Sequence, residues 1–168
     1  MAEISAAARD AGRRRAAAVL EAYLESIADR DWVVAVHHDA ADDPWVFYVR
    51  LVGDERDYVA VRFEVRERTL AFESYLMPPP EENHADLYLY LLKVNHGLVG
   101  VKYGIGGDDE LGVFLSGHLP VEQVDAEALD HVVGLLWETI ERHFPTAMAI
   151  GYASMFRRRR TRADPGAS

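Results

Sequence analysis

Apolar and polar residues alternate with a period of two along three consecutive stretches in the first half of the chain. Successive side chains of a β-strand point to opposite faces, so this pattern is typical of strands that cover a core with one face only. The apolar positions are Trp45, Phe47, Val49 and Leu51, then Val59, Val61, Phe63 and Val65, then Leu70, Phe72 and Leu76. The alternation predicts an antiparallel sheet with one face on a core.

Apolar residues recur at helical spacing in three other stretches. The first helix is predicted from about Ala6 or Ala16 to Asp29, and the second is expected to open at the prolines of residues 78–80. The third is predicted to start near Asp125, a good N-cap residue, and Pro145 is expected to end or kink it. For residues 147–156 the pattern does not decide between a helix and a strand.

Further strands are predicted at residues 32–37, 99–105 and 111–117, which gives the order α-β-β-β-β-α-β-β-α. Because most strands follow one another and are linked by hairpins, the fold class is α+β. We expect a mostly antiparallel sheet of about five to six strands with helices packed on one face.

The chain has 168 residues and a formal net charge of −10, which is the size of one domain. We expect a flexible N-terminal segment at residues 1–15, a single domain at 16–156 and a disordered basic tail at 157–168. The tail holds five arginines and no apolar anchor beyond alanine. The basic residues concentrate at the two ends, so the body between them is strongly acidic.

Charge and composition exclude several classes of function. An acidic body disfavours nucleic acid and anionic membranes as specific partners. The absence of cysteine excludes disulfides and thiolate chemistry. No apolar run approaches the roughly 18 residues of a membrane span, and the apolar stretch that follows the N-terminal arginines is too short for an export signal. A cytoplasmic location is expected.

Candidate catalytic and ligand-binding residues do not assemble into a recognisable motif. Gly104, Gly106 and Gly107 precede two aspartates and a strand, which is typical of a hairpin turn and not of a phosphate loop. The seven histidines lack the spacing of a metal site, and Ser116 lacks a nucleophile elbow. We therefore predict no catalytic residue, no cofactor and no metal.

Aromatic residues occupy several of the strand positions that alternation assigns to the face away from the helices. They are Tyr48, Tyr58, Tyr75 and Phe114. A sheet face exposed to water is usually rich in charge, so several aromatics there indicate a protein-binding surface. The ordinary preference of tyrosine for strands is an equally good explanation at this stage.

Three segments carry a recognisable pattern. Residues 72–84 read FESYLMPPPEENH and continue into a Tyr- and Leu-rich stretch, residues 115–120 read LSGHLP, and residues 150–155 read IGYASM. Together these segments resemble the YbjN family of bacteria. The resemblance implies a sensory-transduction regulator with a fold like that of type III secretion chaperones. Such chaperones are small, acidic, often dimeric proteins that bind extended segments of partners. It implies no catalytic residues, and it places Asn83 and His84 in a helix's first turn, where we expect structural side-chain bonds to nearby backbone.

Three functions stay open on this basis. The first is a chaperone-like, protein-binding regulatory module that forms a homodimer and has a protein partner of unknown identity. The second is a regulator that senses a small ligand in a pocket between helices and sheet, and the third is an enzyme. A broad, shallow apolar face would favour the first, and converging polar groups in a deep pocket would favour the second or third.

Overall fold

A computed structural model describes residues 5–109 and 111–155. The elements follow the predicted order, so the predicted α+β class is confirmed. They are α1 (Ala6–Ile27), β1 (Val33–His38), β2 (Val46–Val52), β3 (Tyr58–Val65), β4 (Thr69–Met77), α2 (His84–Gly97), β5 (Val101–Gly106), β6 (Gly112–Pro120), a short 3-10 helix (Val121–Gln123) and α3 (Ala126–Gly151).

The described strands form one six-stranded sheet in the order β1-β2-β3-β4-β6-β5, and every neighbouring pair is antiparallel. β1 and β5 are the edge strands. The chain leaves β4 through α2, returns along the far edge as β5 and then places β6 between β5 and β4. This crossover brings residues of β6 beside β4, although α2 and β5 separate the two strands in the chain.

The core lies between one face of the sheet and the helices. Alternate residues of β3 and β4 are fully buried there, among them Val61, Phe63 and Leu70. α1 packs against β1 and β3, α3 crosses β3 and β4, and α2 lies beside β5 and α3. In the described part of the chain, the helices pack on this buried side of the sheet. We call the opposite side of the sheet the outer face.

α1 starts at Ala6, the earlier of the two predicted starts, so the segment expected to be flexible is helical from Ala6 onwards. Arg13 lies 3.8 Å from the ring centroid of Trp45 and donates a hydrogen bond to the carbonyl of Val65. Arg15 donates to the carbonyls of Val121 and Val124. Contacts across the fold therefore hold this part of the helix, and they could not be inferred from its local composition.

The second helix begins later than expected, at His84 rather than at the prolines. The backbone N–H groups of Glu81 and Glu82 donate to the carbonyl of Gly151 at 3.1 Å each, so these residues form a corner docked on α3. Asn83 adopts a left-handed conformation with φ of 54° and donates from its side chain to the carbonyl of Ile150. The expected bond from Asn83 to backbone is present, but its acceptor lies in a distant part of the chain.

The third helix continues through Pro145 to Gly151, so of the two expected effects of this proline, ending the helix is wrong, while a kink stays a prediction. A proline removes one helical hydrogen bond, yet the segment beyond it is held from outside. A Cβ at Gly151 would lie 2.8 Å from Cε of Met77 and 3.1 Å from Cβ of Pro80, so the corner packs closely on this turn. The undecided stretch therefore starts as helix, and the basic tail at 157–168 lies outside the described residues.

Candidate binding surface

The outer face carries a continuous row of side chains across all six strands. The row consists of cross-strand partners, one from each strand in the sheet order β1-β2-β3-β4-β6-β5: His37, Tyr48, Arg62, Glu73, Ser116 and Lys102. Side chains directly opposite each other on neighbouring strands lie within contact distance. Most of the row is polar or charged, which is what a sheet face in water requires.

Aromatic residues flank this polar row on the side towards the β2–β3 hairpin. Tyr75 and Phe114 are cross-strand partners, and their ring centroids lie 5.2 Å apart in an edge-to-face arrangement. The guanidinium of Arg50 lies 4.2 Å from the ring centroid of Tyr58. Such edge-to-face and cation–π contacts fix the rings without covering them.

The structure places all four predicted residues on the outer face but does not bring all four into contact. Tyr48, Tyr58 and Tyr75 are 42%, 40% and 37% exposed, and Phe114 is half-buried. Tyr48 lies beside His37, with ring centroids 6.2 Å apart. Along β2, Arg50 separates Tyr48 from Val52, which is the cross-strand partner of Tyr58. The surface is therefore a mixture of aromatic rings and arginines, and its apolar area is not continuous.

Alternation along the sequence sets Arg62 and Arg66 opposite the core residues of β3, but they were not among the predicted protein-binding residues. Arg62 and Arg66 both donate to the carboxylate of Glu64, and Arg62 also lies 3.8 Å from Glu73. Hydrogen bonds from Arg66 and Arg62 lower the pKa of Glu64. Burial disfavours the charged form of Arg62, but hydrogen bonds with Glu64 and Tyr48 outweigh this effect and raise the pKa of Arg62. Within β3, Arg62 and Glu64 alternate with the buried residues Val61, Phe63 and Val65.

A shallow hollow of about 480 Å³ lies on the outer face between β3, β4 and β6. Arg62, Arg66, Glu73 and His118 line it together with Ser116. Its arginines already pair with acidic side chains of the same face. The hollow therefore extends the mixed surface, and its charges do not converge on a single point.

The histidines make contacts within the fold. His38 stacks on Phe47 with ring centroids 3.8 Å apart, and its Nδ1 lies 3.4 Å from the carboxylate of Glu21. Nδ1 of His143 lies 3.1 Å from the hydroxyl of Tyr103. Within residues 5–109 and 111–155, no three His, Asp or Glu side chains come close enough together to hold a metal ion.

The chain matches the model of the YbjN family, described as "Putative bacterial sensory transduction regulator", over residues 17–148. The chain belongs to the YbjN family. The expected resemblance at residues 72–84 and 115–120 lies inside the matched range, and residues 150–155 lie just beyond it.

Several mycobacterial proteins are similar to this YbjN chain. Uncharacterized proteins of Mycobacterium tuberculosis and Mycobacterium bovis are each 29% identical to it over 116 residues, which is 68% of this chain and 62% of each relative. An uncharacterized protein of Mycobacterium leprae is 31% identical over 107 residues, covering 63% of this chain and 56% of the relative. The YbjN chain thus matches about three fifths of the length of these relatives. None of the helices in the described part of the YbjN chain has the length and apolar character of a bilayer span.

Proposed function

We propose that this YbjN domain is a non-enzymatic, chaperone-like module that binds other proteins through its outer face. The observation that carries the proposal is the position of Tyr48, Tyr58, Tyr75 and Phe114, all on the side of the sheet opposite the helices. A sheet that needed only solubility on that side would carry charged and small polar residues there.

The combination of tyrosines and arginines on the outer face supports a role as a contact surface between proteins. Tyrosine and arginine are enriched among residues that dominate binding energy, because each covers a large area and still offers polar contacts. Arg50 over Tyr58 combines both types in one place. The family's description as a regulator of sensory transduction names no reaction, which also supports a binding role.

A second copy of the chain is the first occupant that we propose for this surface. A two-fold interface brings the same patch of both molecules together, so the patch must be complementary to itself. The outer face carries both signs of charge, with Arg50 and Arg62 beside Glu64 and Glu73. Two such faces related by a two-fold axis can place arginines of one molecule against carboxylates and rings of the other.

Affinity capture with matched baits tests the binding function. The full chain is tagged and used to retain proteins from a bacterium that encodes it, in parallel with Tyr58→Ser/Tyr75→Ser. Leu92→Ser is the control, because Leu92 is an exposed apolar residue of α2 and lies away from the outer face. We expect one or a few proteins, including untagged copies of the chain, to be retained by wild type and the control and lost from the double variant. Equal retention by all three baits, or retention of no protein, would contradict the proposal.

A further inference from the structure

A second surface lies at the end of β2, beside α3. It is an open groove of about 540 Å³ between β2, α3 and the turn before β1. Its walls include Trp32 and Trp137, and its floor is formed by Val52, Val133 and Gly134. We call it the Trp groove. Its volume is within the range of about 300–1,000 Å³ that is usual for ligand sites.

The backbone of Val52 is hydrogen-bonded to the side chain of Trp137 and to the main chain of Trp32. The indole N–H of Trp137 donates to the carbonyl of Val52 at 2.8 Å, and the N–H of Val52 donates to the carbonyl of Trp32 at 3.0 Å. The Trp137 indole has used its only donor in this bond. What the ring offers to an incoming group is therefore its apolar and π surface. Trp32 remains 39% exposed beside it.

Gly134 keeps the floor of the groove open. It lies in the middle of α3, where glycine is less favourable than any ordinary residue except proline. In the described part of the chain, no side chain or neighbouring element lies within 4 Å of the position that a Cβ would take there. Packing therefore does not explain this glycine, and its structural effect is to leave room above the helix.

The rim of the groove is acidic. Asp31, Asp54 and Asp130 line it, and no lysine or arginine is found among its described lining residues. Apolar rings bordered by three carboxylates are complementary to a group that is apolar at its centre and cationic at its edge. Cations also bind the π face of indoles, which strengthens the same preference.

We infer that the Trp groove binds an extended segment of a partner protein in which an apolar or aromatic side chain is flanked by arginine or lysine. The apolar side chain enters between the two indoles above Gly134, and the basic residues pair with the aspartates of the rim. This inference rests on the proposed protein-binding function and assigns a partner chemistry to a site separate from the outer face. The lining residues of the groove do not include Tyr48, Tyr58, Tyr75 or Phe114, although Val52 is the cross-strand partner of Tyr58.

The test is a binding titration with a defined probe. The probe is a labelled peptide of about ten residues that repeats Arg-Leu-Lys-Phe, a length that spans the groove when extended. The control peptide has glutamate in place of every arginine and lysine. Fluorescence anisotropy of the label reports binding to the full chain. Tryptophan emission reports its location, because two of the three tryptophans line the groove.

The decisive variant is Gly134→Leu, which fills the groove and improves helix propensity, so it should raise the melting temperature. Gly97→Leu is the matched control, since a Cβ there also meets no atom within 4 Å of the described structure. We expect the basic peptide to bind wild type and Gly97→Leu equally and Gly134→Leu more weakly by about tenfold or more. The acidic peptide should bind none of them. The affinity of wild type should fall as salt rises, and by less in Asp31→Asn/Asp54→Asn.

The outcomes separate this inference from the function on which it rests. If the basic peptide binds Gly134→Leu as tightly as wild type, the groove is not its site and the inference is overturned. If binding is lost instead in Tyr58→Ser/Tyr75→Ser, the outer face takes the peptide, and protein binding stands while the groove assignment is overturned. If the basic and acidic peptides bind with equal affinity, the charge argument is overturned.

Discussion

The hydroxyl of Tyr152 donates a 2.6 Å hydrogen bond to the carbonyl of Pro79, and this contact ties the end of α3 to the corner between β4 and α2. The two residues come from separate segments, LMPPPEEN and IGYASM, both of which carried the family resemblance. Their pairing explains why both segments belong to one structural unit. Asn83, bonded to the carbonyl of Ile150, makes a second contact across the same junction.

Tyr152→Phe should lower the free energy of unfolding by about 1 kcal/mol, because it removes one largely buried hydrogen bond and leaves the ring in place. Urea unfolding followed by far-UV circular dichroism measures the change. Tyr58→Phe is the matched control, since its ring is exposed on the outer face, and its effect should be about 0.5 kcal/mol or less. Equal losses in both variants would mean that the junction contributes nothing specific.

A buried carboxylate of α3 holds the hairpin between β2 and β3. Glu141, 6% exposed, accepts hydrogen bonds from the backbone N–H groups of Asp54 and Glu55. A Cβ at Gly53 would lie 2.1 Å from the carbonyl oxygen of Arg56 and 2.9 Å from Oε1 of Glu141, so only glycine fits this close approach. The turn is thus shaped by a residue that lies far along the chain.

Glu141→Ala should cost about 2–3 kcal/mol, because it leaves two backbone donors without their carboxylate acceptor. Glu141→Gln keeps one oxygen acceptor and should cost about 1 kcal/mol. Chemical denaturation at neutral pH gives both values. Glu138→Gln, on the same helix but exposed and paired with Arg142, should change stability by about 0.5 kcal/mol or less. A loss in Glu138→Gln as large as in Glu141→Ala would refute the capping role.

His143 should make the stability depend on pH. Burial lowers the pKa of His143, and the neighbouring Arg142 lowers it further, against a hydrogen bond with the backbone of Thr139. Tyr103 and Tyr90 face its ring from β5 and α2. A lowered pKa means that the unfolded chain takes up the proton first. The stability contributed by the neutral ring is therefore complete above about pH 6.5 and is lost as the pH falls through the pKa of the folded state.

The measurement compares wild type with His143→Gln at several pH values between neutral and mildly acidic. The stability of wild type relative to the variant should fall as the solution becomes acidic. Glu138→Gln, an exposed site on the same helix, is the control for the substitution itself. A difference between wild type and His143→Gln that is constant with pH would show that the ring is not held neutral.

The metal-free expectation stays a prediction that elemental analysis can test. Protein purified without a histidine tag should contain no stoichiometric zinc, iron or calcium, because its histidines lack ligand spacing and those described above contact rings, carbonyls and hydroxyls. Treatment with a chelator should leave the melting temperature unchanged. One tightly bound equivalent of any of these metals would overturn it.

The strands could be predicted because alternation depends on local sequence, and the bounds of β3 and β4 differ from the predicted ones by one residue at most. The start of α2 and the continuation of α3 through Pro145 could not be predicted from local sequence, since both depend on the junction around Gly151. Alternation also assigned Tyr75 and Phe114 to one face. Only the strand order β4-β6-β5 shows that they touch. The Trp groove left no local signal, since its walls come from a turn and a helix far apart in sequence.

Self-association through the outer face is the most direct test of the account. Light scattering at micromolar concentration should show a homodimer for wild type and a folded monomer for Tyr58→Ser/Tyr75→Ser, because a buried interface aromatic can contribute about 2 kcal/mol or more. The net charge of −10 opposes association, so added salt should strengthen the dimer. Leu92→Ser on α2 should leave the dimer intact. A wild-type monomer at both low and high salt would contradict the dimer, and a dimer dissociated by Leu92→Ser but not by the tyrosine changes would place the interface on α2.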